Sequence, residues 1–246
     1  MTSTVAASGR RDDARLDTSG REVGQAVEWR PTLVGVLVRF VLLSAVFTAA
    51  GLALVHLDAL AGLRDADLEI SRWFVPRRTP AWNDVALFWS NFADTIATCS
   101  VALVATAFLW WRHRRRDAVL IAFGLALEAA TFITVNNIVQ RERPPVRTVG
   151  AAPTTDSFPS GHVAATIVLY GGLAIIALVL VHRPVLRFLI AAAPVVLTAW
   201  VAWARIYRGM HFALDVLAGI LLGFTVLVVM VQLLPRTTTS SEEVLR

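Results

Sequence analysis

Polar and apolar residues segregate along this chain into long blocks instead of alternating every few positions. Six apolar runs each approach or exceed the roughly eighteen residues that cross about 30 Å of hydrocarbon. They predict spans from Leu33 to Leu57, Val85 or Thr95 to Trp111, Ala118 to Val139, Val163 to Val181, Phe188 to Ile206, and Phe212 to Leu234. The start of the second stays open because Asn91 and Asp94 interrupt it. The expected fold class is all-α: a polytopic membrane helical bundle with about six transmembrane helices, built as one domain over residues 31–235. The first run is too long for a signal-peptide core and is expected to be retained.

The flanks differ. Residues 1–30 are rich in Ser, Thr, Arg and Asp with no helical apolar period, which predicts a disordered cytoplasmic tail. Residues 236–246 form a second short, polar tail, expected to be flexible. Between the first two spans, residues 58–84 mix charged and aromatic side chains with Pro76 and Pro80. Trp73, Phe74 and Trp82 suit a segment lying on the membrane surface. Arg39, near the start of the first span, is placed to snorkel to the interface.

Composition narrows the class further. With 56% of residues hydrophobic and 17% charged, a soluble domain of 246 residues is excluded. The net charge of +5 invites a nucleic-acid reading, but the arginines fall mostly in loops and no basic face interleaves with aromatics, so no nucleic-acid partner is expected. All 23 basic residues are arginine, so a motif that needs lysine cannot be complete here. The single cysteine, Cys99, has no disulfide or metal partner and reads as a small buried hydrophobe.

The arginines also predict orientation. Arg112–Arg116 and His182–Arg187 carry positive charge and fall on the same side as the N-terminal tail if six spans alternate. The positive-inside rule places that side, and both termini, in the cytoplasm. A multi-pass protein of the cell (plasma) membrane follows, with residues 58–84, the loop 140–161 and the turn 205–211 on the extracytoplasmic side.

Three polar clusters meet on that outer side. In Arg141-Glu142-Arg143-Pro144, Pro144 ends the third helix and presents Arg143, whose planar fork suits phosphate oxygens. In Pro159-Ser160-Gly161-His162, Ser160 is placed as N-cap, and Gly161 lets an anion approach the first-turn amides. His162 stands in that first turn. In the third cluster, His211 and Asp215 are four apart on one face of the sixth helix, and Arg205 ends the fifth. A carboxylate so placed can accept from one imidazole nitrogen and leave the other free to attack. Each cluster also has a plainer reading: an interfacial arginine, a capping serine beside an interfacial histidine, a structural His–Asp pair. Their convergence on one side favours a shared oxyanion site. Phosphoryl transfer needs positioning and charge neutralisation, which arginines can supply. No Asp, Glu and His grouping there has metal-ligand spacing, so no metal or cofactor is expected.

These residues resemble the motifs of the type 2 phosphatidic acid phosphatase superfamily, membrane lipid phosphatases related to vanadium-dependent haloperoxidases. The Pro-Ser-Gly-His motif is intact at Pro159–His162; the last motif matches at Arg205, His211 and Asp215, with Ala204 where serine is usual. The first matches at Arg143-Pro144, but Asn136 stands where the family has lysine. The resemblance spans about residues 60–232. It implies that His211 forms a phosphohistidine, Asp215 orients it, His162 protonates the leaving group, and Arg143, Arg205, Ser160 and Gly161 hold the phosphoryl group. Asn136 could still donate a hydrogen bond, and Arg141 could restore the missing charge. The implied function is metal-independent hydrolysis of a lipid phosphate or pyrophosphate, such as a polyprenyl pyrophosphate or phosphatidic acid. The alternative is a weakly active or non-catalytic phospholipid-binding protein of the same fold. The expected partners are the bilayer and a lipid phosphate; the sequence is silent on oligomeric state. Glu128, in mid-span, reads as an internal hydrogen-bonded or protonated carboxyl, and Trp200 and Trp203 as packing residues.

Overall fold

The structure is a computed structural model and describes residues 14–16, 22–24, 27, 29–151, 154–234 and 237–239. Nine helices carry the described fold: α1 (Trp29–His56), α2 (Ala61–Phe74), α3 (Pro80–Phe92), α4 (Thr95–Trp111), α5 (Arg115–Val139), α6 (Gly161–Thr166), α7 (Gly172–Leu180), α8 (Pro184–Tyr207) and α9 (Ala213–Leu233). A π-helical turn, Ile167–Gly171, joins α6 to α7 within one span. Five helices or joined helices are long and apolar enough to cross a membrane, and α3 with α4 makes a sixth, bent by 43°. The open start of the second span is thereby resolved as a break. Asp94 caps α4, its Oδ2 accepting from the Ile96 amide at 3.3 Å. The protein is a multi-pass membrane helical bundle.

α5 is the central helix and packs against α1, α4, α6 and α9. Its buried face gathers Leu120, Ile121, Leu127 and Val135 with Val168, Leu169, Leu222 and Val226 into one apolar core. The outer faces stay apolar as well: Leu33, Leu37, Val41, Leu103, Phe188 and Val195 are exposed, as lipid-facing side chains are. Where α6 crosses α9, the backbones nearly touch. A Cβ at Gly219 would stand 2.4 Å from the Ser160 carbonyl oxygen, and one at Gly223 would stand 2.6 Å from that of Ala164. These two glycines, one turn apart, let the N-termini of α6 and α9 come together. That contact seats the site.

At the opposite end, Arg116 Nε donates to the Leu234 carbonyl at 2.6 Å and caps α9. The Arg112–Arg116 loop therefore lies a full helix length from the site. α2 turns Asp67 and Ser71 inward and exposes Leu63, Ile70 and Trp73, the apolar outer face expected of a membrane-surface segment. Trp200 stacks on Trp89 at 5.6 Å and Trp203 meets Trp82 edge-on at 5.5 Å, so both tryptophans pack α8 against α3.

Two expectations need correction. Cys99 is exposed on α4, because that helix touches the bundle along only one side and leaves most of its surface outward. The third span ends at Val139, with Gln140 in the left-handed conformation (φ 49°) as its cap. Pro144 comes four residues too late to be the stop. As for the tails, the segments Ala14–Leu16 (β1), Glu22–Gly24 (β2) and Thr237–Thr239 (β3) pair as a small antiparallel sheet in the order β1-β2-β3. The sheet brings the two tails together. The remaining tail residues lie outside those described.

Candidate active site

The ends of α3, α5 and α8 and the starts of α4, α6 and α9 converge at one end of the bundle. Around them a cavity of about 810 Å³ opens, lined by Arg143, His162, Arg205, Arg208 and His211 among others. Ala151, Thr154 and Thr155, from the same segment between α5 and α6 as Arg143, line it as well.

His211 sits in the tight turn between α8 and α9. Gly209, at φ 73°, supplies the left-handed residue this turn requires. The imidazole is buried, and both nitrogens have partners. Nδ1 donates to the Ser157 carbonyl oxygen at 2.7 Å, and Nε2 lies 3.3 Å from the Arg205 Nη2. A guanidinium can only donate, so Nε2 is the acceptor and Nδ1 carries the proton. Burial first, then the charges of Arg205 and Arg143 and the neighbouring His162, hold His211 well below its ordinary pKa; the Ser157 bond opposes them. The ring is a neutral imidazole with its lone pair at Nε2.

Asp215 does not touch that ring as its spacing suggested. Its Oδ2 is 3.9 Å from His211 Nδ1, beyond hydrogen-bond range. The carboxylate is engaged elsewhere: Oδ1 accepts from Arg141 at 2.5 Å, and Oδ2 accepts from the Phe212 amide at 2.8 Å and from the Ser157 hydroxyl. Ser157 is thus the missing link. Its hydroxyl is held by Asp215 while its carbonyl holds His211, so the carboxylate orients the histidine through one intervening residue.

The guanidiniums divide by location. Arg205 donates to Ser90 Oγ at 2.9 Å and meets His211; its buried Nε has no partner among the described residues. Arg143 is braced by the carbonyls of Thr155 (2.8 Å), Asp156 (3.1 Å) and Met210. Arg208, which the sequence reading omitted, is braced by the Val149 carbonyl at 2.8 Å and by Ser90 Oγ. Burial lowers the pKa of both Arg143 and Arg208. Three guanidiniums thus face one cavity, and orphaned buried donors such as Arg205 Nε call for an anionic acceptor. The signal for Arg208 was its position three after Arg205, on the same side of the helix end.

Two expected phosphate ligands point elsewhere. Arg141 is buried between two carboxylates, its Nη2 donating to Asp67 Oδ2 at 2.8 Å and its Nη1 to Asp215, with the guanidinium carbon 4.1 Å from the centre of the Phe212 ring. It does not line the cavity, because two nearby acids take its fork. Asn136 donates both amide hydrogens, to the carbonyls of Asp156 at 2.9 Å and Phe158 at 3.0 Å. It pins the loop instead of presenting a donor. Asn136→Ala therefore leaves the Phe158 carbonyl without this bond and lowers stability by about 1–3 kcal/mol, measurable as a fall in thermal midpoint of the detergent-solubilised protein.

The Pro159–His162 segment is placed as expected with one difference. Ser160 occupies the N-cap position of α6 (φ −84°, ψ 99°), but its hydroxyl makes no capping bond and is buried without a partner among the described residues. Gly161 and His162 line the cavity. His162 Nε2 lies 3.9 Å from Asp94 Oδ1, a neighbour that spacing along the chain did not reveal. Among the described residues, no three or more His, Cys, Asp or Glu side chains are grouped to hold a metal ion.

Known proteins share the fold and part of the sequence. Residues 117–239 match the model of the PAP2 superfamily. The chain is 30% identical over 153 residues to YbjG of Escherichia coli (strain K12), named for an undecaprenyl-diphosphatase activity; the match covers 60% of this chain and 71% of that one. Two crystal structures share the fold. One is a transmembrane PAP2-type phosphatidylglycerolphosphate phosphatase from Bacillus subtilis, with TM-score 0.61 and 24% identity over 80% of this chain and 94% of that one. The other is Aquifex aeolicus LpxE, with TM-score 0.52 and 23% identity over 67% of this chain and 94% of that one. The six-span bundle and the matches to sequence and fold lead to one assignment: the chain belongs to the PAP2 superfamily.

Proposed function

We propose that this protein hydrolyses a lipid phosphate or diphosphate through a phosphohistidine on His211, working from the extracytoplasmic face of the plasma membrane. The observation that carries the reading is the His211 ring itself: Nδ1 is committed to the Ser157 carbonyl, and Nε2 meets the Arg205 guanidinium at a cavity lined by three guanidiniums and a second histidine. The relatives acting on lipid phosphates support the substrate class. The Arg112–Arg116 loop at the far end of the bundle supports the orientation.

In the first step the Nε2 lone pair attacks phosphorus. The bond from phosphorus to the leaving oxygen breaks, and His162, which takes up a proton as the phosphate dianion binds beside it, gives that oxygen its proton. Arg143, Arg205 and Arg208 neutralise the equatorial oxygens as charge spreads over them. The new imidazolium keeps its Nδ1 proton on the Ser157 carbonyl, with Asp215 behind it. In the second step water attacks phosphorus and yields its proton to His162, and the P–N bond breaks. Inorganic phosphate leaves and both histidines return to their starting states.

The test is phosphate release by purified protein from polyprenyl phosphates and diphosphates, phosphatidic acid and phosphatidylglycerol phosphate. Turnover on at least one, inhibited by vanadate, is expected. Absence of turnover on all of them would favour a non-catalytic phospholipid-binding protein. Because His211 is held neutral well below its ordinary pKa of about 6.5, protonation of the nucleophile should not cause a fall in kcat/KM near pH 6.5. An acid limb at that pH that vanishes in a variant altered only around His211 would contradict the neutral nucleophile.

A further inference from the structure

The cavity does not end at the arginines. It continues inward between α4 and α5, where Leu125, Ala129 and Phe132 form an apolar wall and Glu128 stands among them, with Thr98 contributed by α4. Glu128 is only 3% exposed, and its Oε1 is buried without a hydrogen-bond partner among the described residues. A carboxyl inside a membrane span is costly unless something meets it. Its position relative to the reaction is readable. The Phe132 ring lies 3.1 Å from where a Cβ on Gly161 would be, so Phe132 is level with the first turn of α6. Glu128 is four residues earlier on α5, about 6 Å further in at 1.5 Å per residue.

His162, Phe132 and Glu128 line one cavity, so it offers a leaving group held at His162 a path inward past Phe132. We propose that Glu128 reads that leaving group by hydrogen-bonding a hydroxyl carried a few atoms beyond the ester oxygen. The inference rests on the lipid-phosphatase reading and narrows it to lipid phosphates with a glycerol-like, hydroxyl-bearing leaving group. A bare isoprenoid chain brings the carboxyl neither donor nor acceptor and leaves it orphaned.

The test compares three substrates in mixed micelles: an acylglycerol 3-phosphate with a free hydroxyl beside the phosphate-bearing carbon, its deoxy analogue, and farnesyl phosphate. The wild-type protein is expected to favour the hydroxyl-bearing lipid over the deoxy analogue by at least about tenfold in kcat/KM, since a site built for a hydroxyl rejects the analogue that lacks it. Glu128→Met should collapse that ratio to within about twofold of one, while Glu128→Gln, which still bonds a hydroxyl, should keep most of it. A wild-type ratio near one overturns the inference without any variant, as does a preference that survives in Glu128→Met. Release from the hydroxyl-free lipids alone overturns it and leaves the phosphatase reading standing. No release from any of the three overturns the inference, and the phosphatase reading falls with it only if the polyprenyl phosphates and diphosphates, phosphatidic acid and phosphatidylglycerol phosphate also give none.

Discussion

His211→Ala is expected to lower phosphate release by about 10⁴-fold or more while leaving the protein folded. In the proposed mechanism the ring supplies the attacking lone pair at Nε2, and among the described residues no other imidazole has both an oriented Nδ1 and an Nε2 at the guanidinium cluster. Truncation also leaves the buried Ser157 carbonyl without this bond, which costs about 1–3 kcal/mol. Arg143, Arg205 and Arg208 remain in place, so KM should change little compared with kcat. The measurement is steady-state kinetics beside a thermal melt of the same preparation. A variant that keeps a tenth of the activity, or loses it only by unfolding, would contradict the assignment.

Arg141→Ala should act in the opposite way, through stability. Arg141 bridges Asp67 on α2 and Asp215 on α9, with all three side chains buried. Asp67 also accepts from the Leu214 amide at 3.1 Å, so the triad ties the surface helix to the start of α9. Removing the guanidinium leaves two buried carboxylates facing each other, a change that costs about 3–5 kcal/mol. That is a large share of the roughly 5–15 kcal/mol by which a folded domain is stable. The expected result is a large fall in thermal midpoint or loss of extractable folded protein. Arg141→Lys should recover part of it, because an ammonium keeps the charge but cannot span both carboxylates as a fork does. A variant that melts normally and shows only a raised KM would instead make Arg141 a phosphate ligand.

The contrast between these two residues shows what was legible in the chain. The spans could be read because apolar runs of membrane length have few alternatives, and all six fall within a few residues of the observed helices. His211, Asp215, Arg205 and His162 could be located because each lies within a turn of a helix end, where spacing dictates the face. The loop 140–160 has no period, so spacing said nothing about where its side chains turn. Arg143 entered the cavity while Arg141 was taken by Asp67, an acid 74 residues away whose role nothing in α2 announced. Asn136 found two carbonyls of that same loop, and Asp215 reached His211 only through Ser157. Cys99 was judged by the apolarity of its run, yet it is exposed; Glu128 was placed by its distance from the rim as an internal carboxyl, and it is buried with its Oε1 lacking a partner among the described residues. Apolar character gives depth in the membrane, not which side of a helix meets a neighbour.

The most direct test of the central claim is to trap the covalent intermediate. Rapid mixing of purified protein with a lipid carrying radiolabelled phosphate, followed by alkaline quench, should yield a label that is stable to base, labile to acid, and confined to the peptide containing His211. The same label should be absent from His211→Ala. Steady turnover without such a label, or a label on His162 or on a carboxylate, would contradict attack by His211.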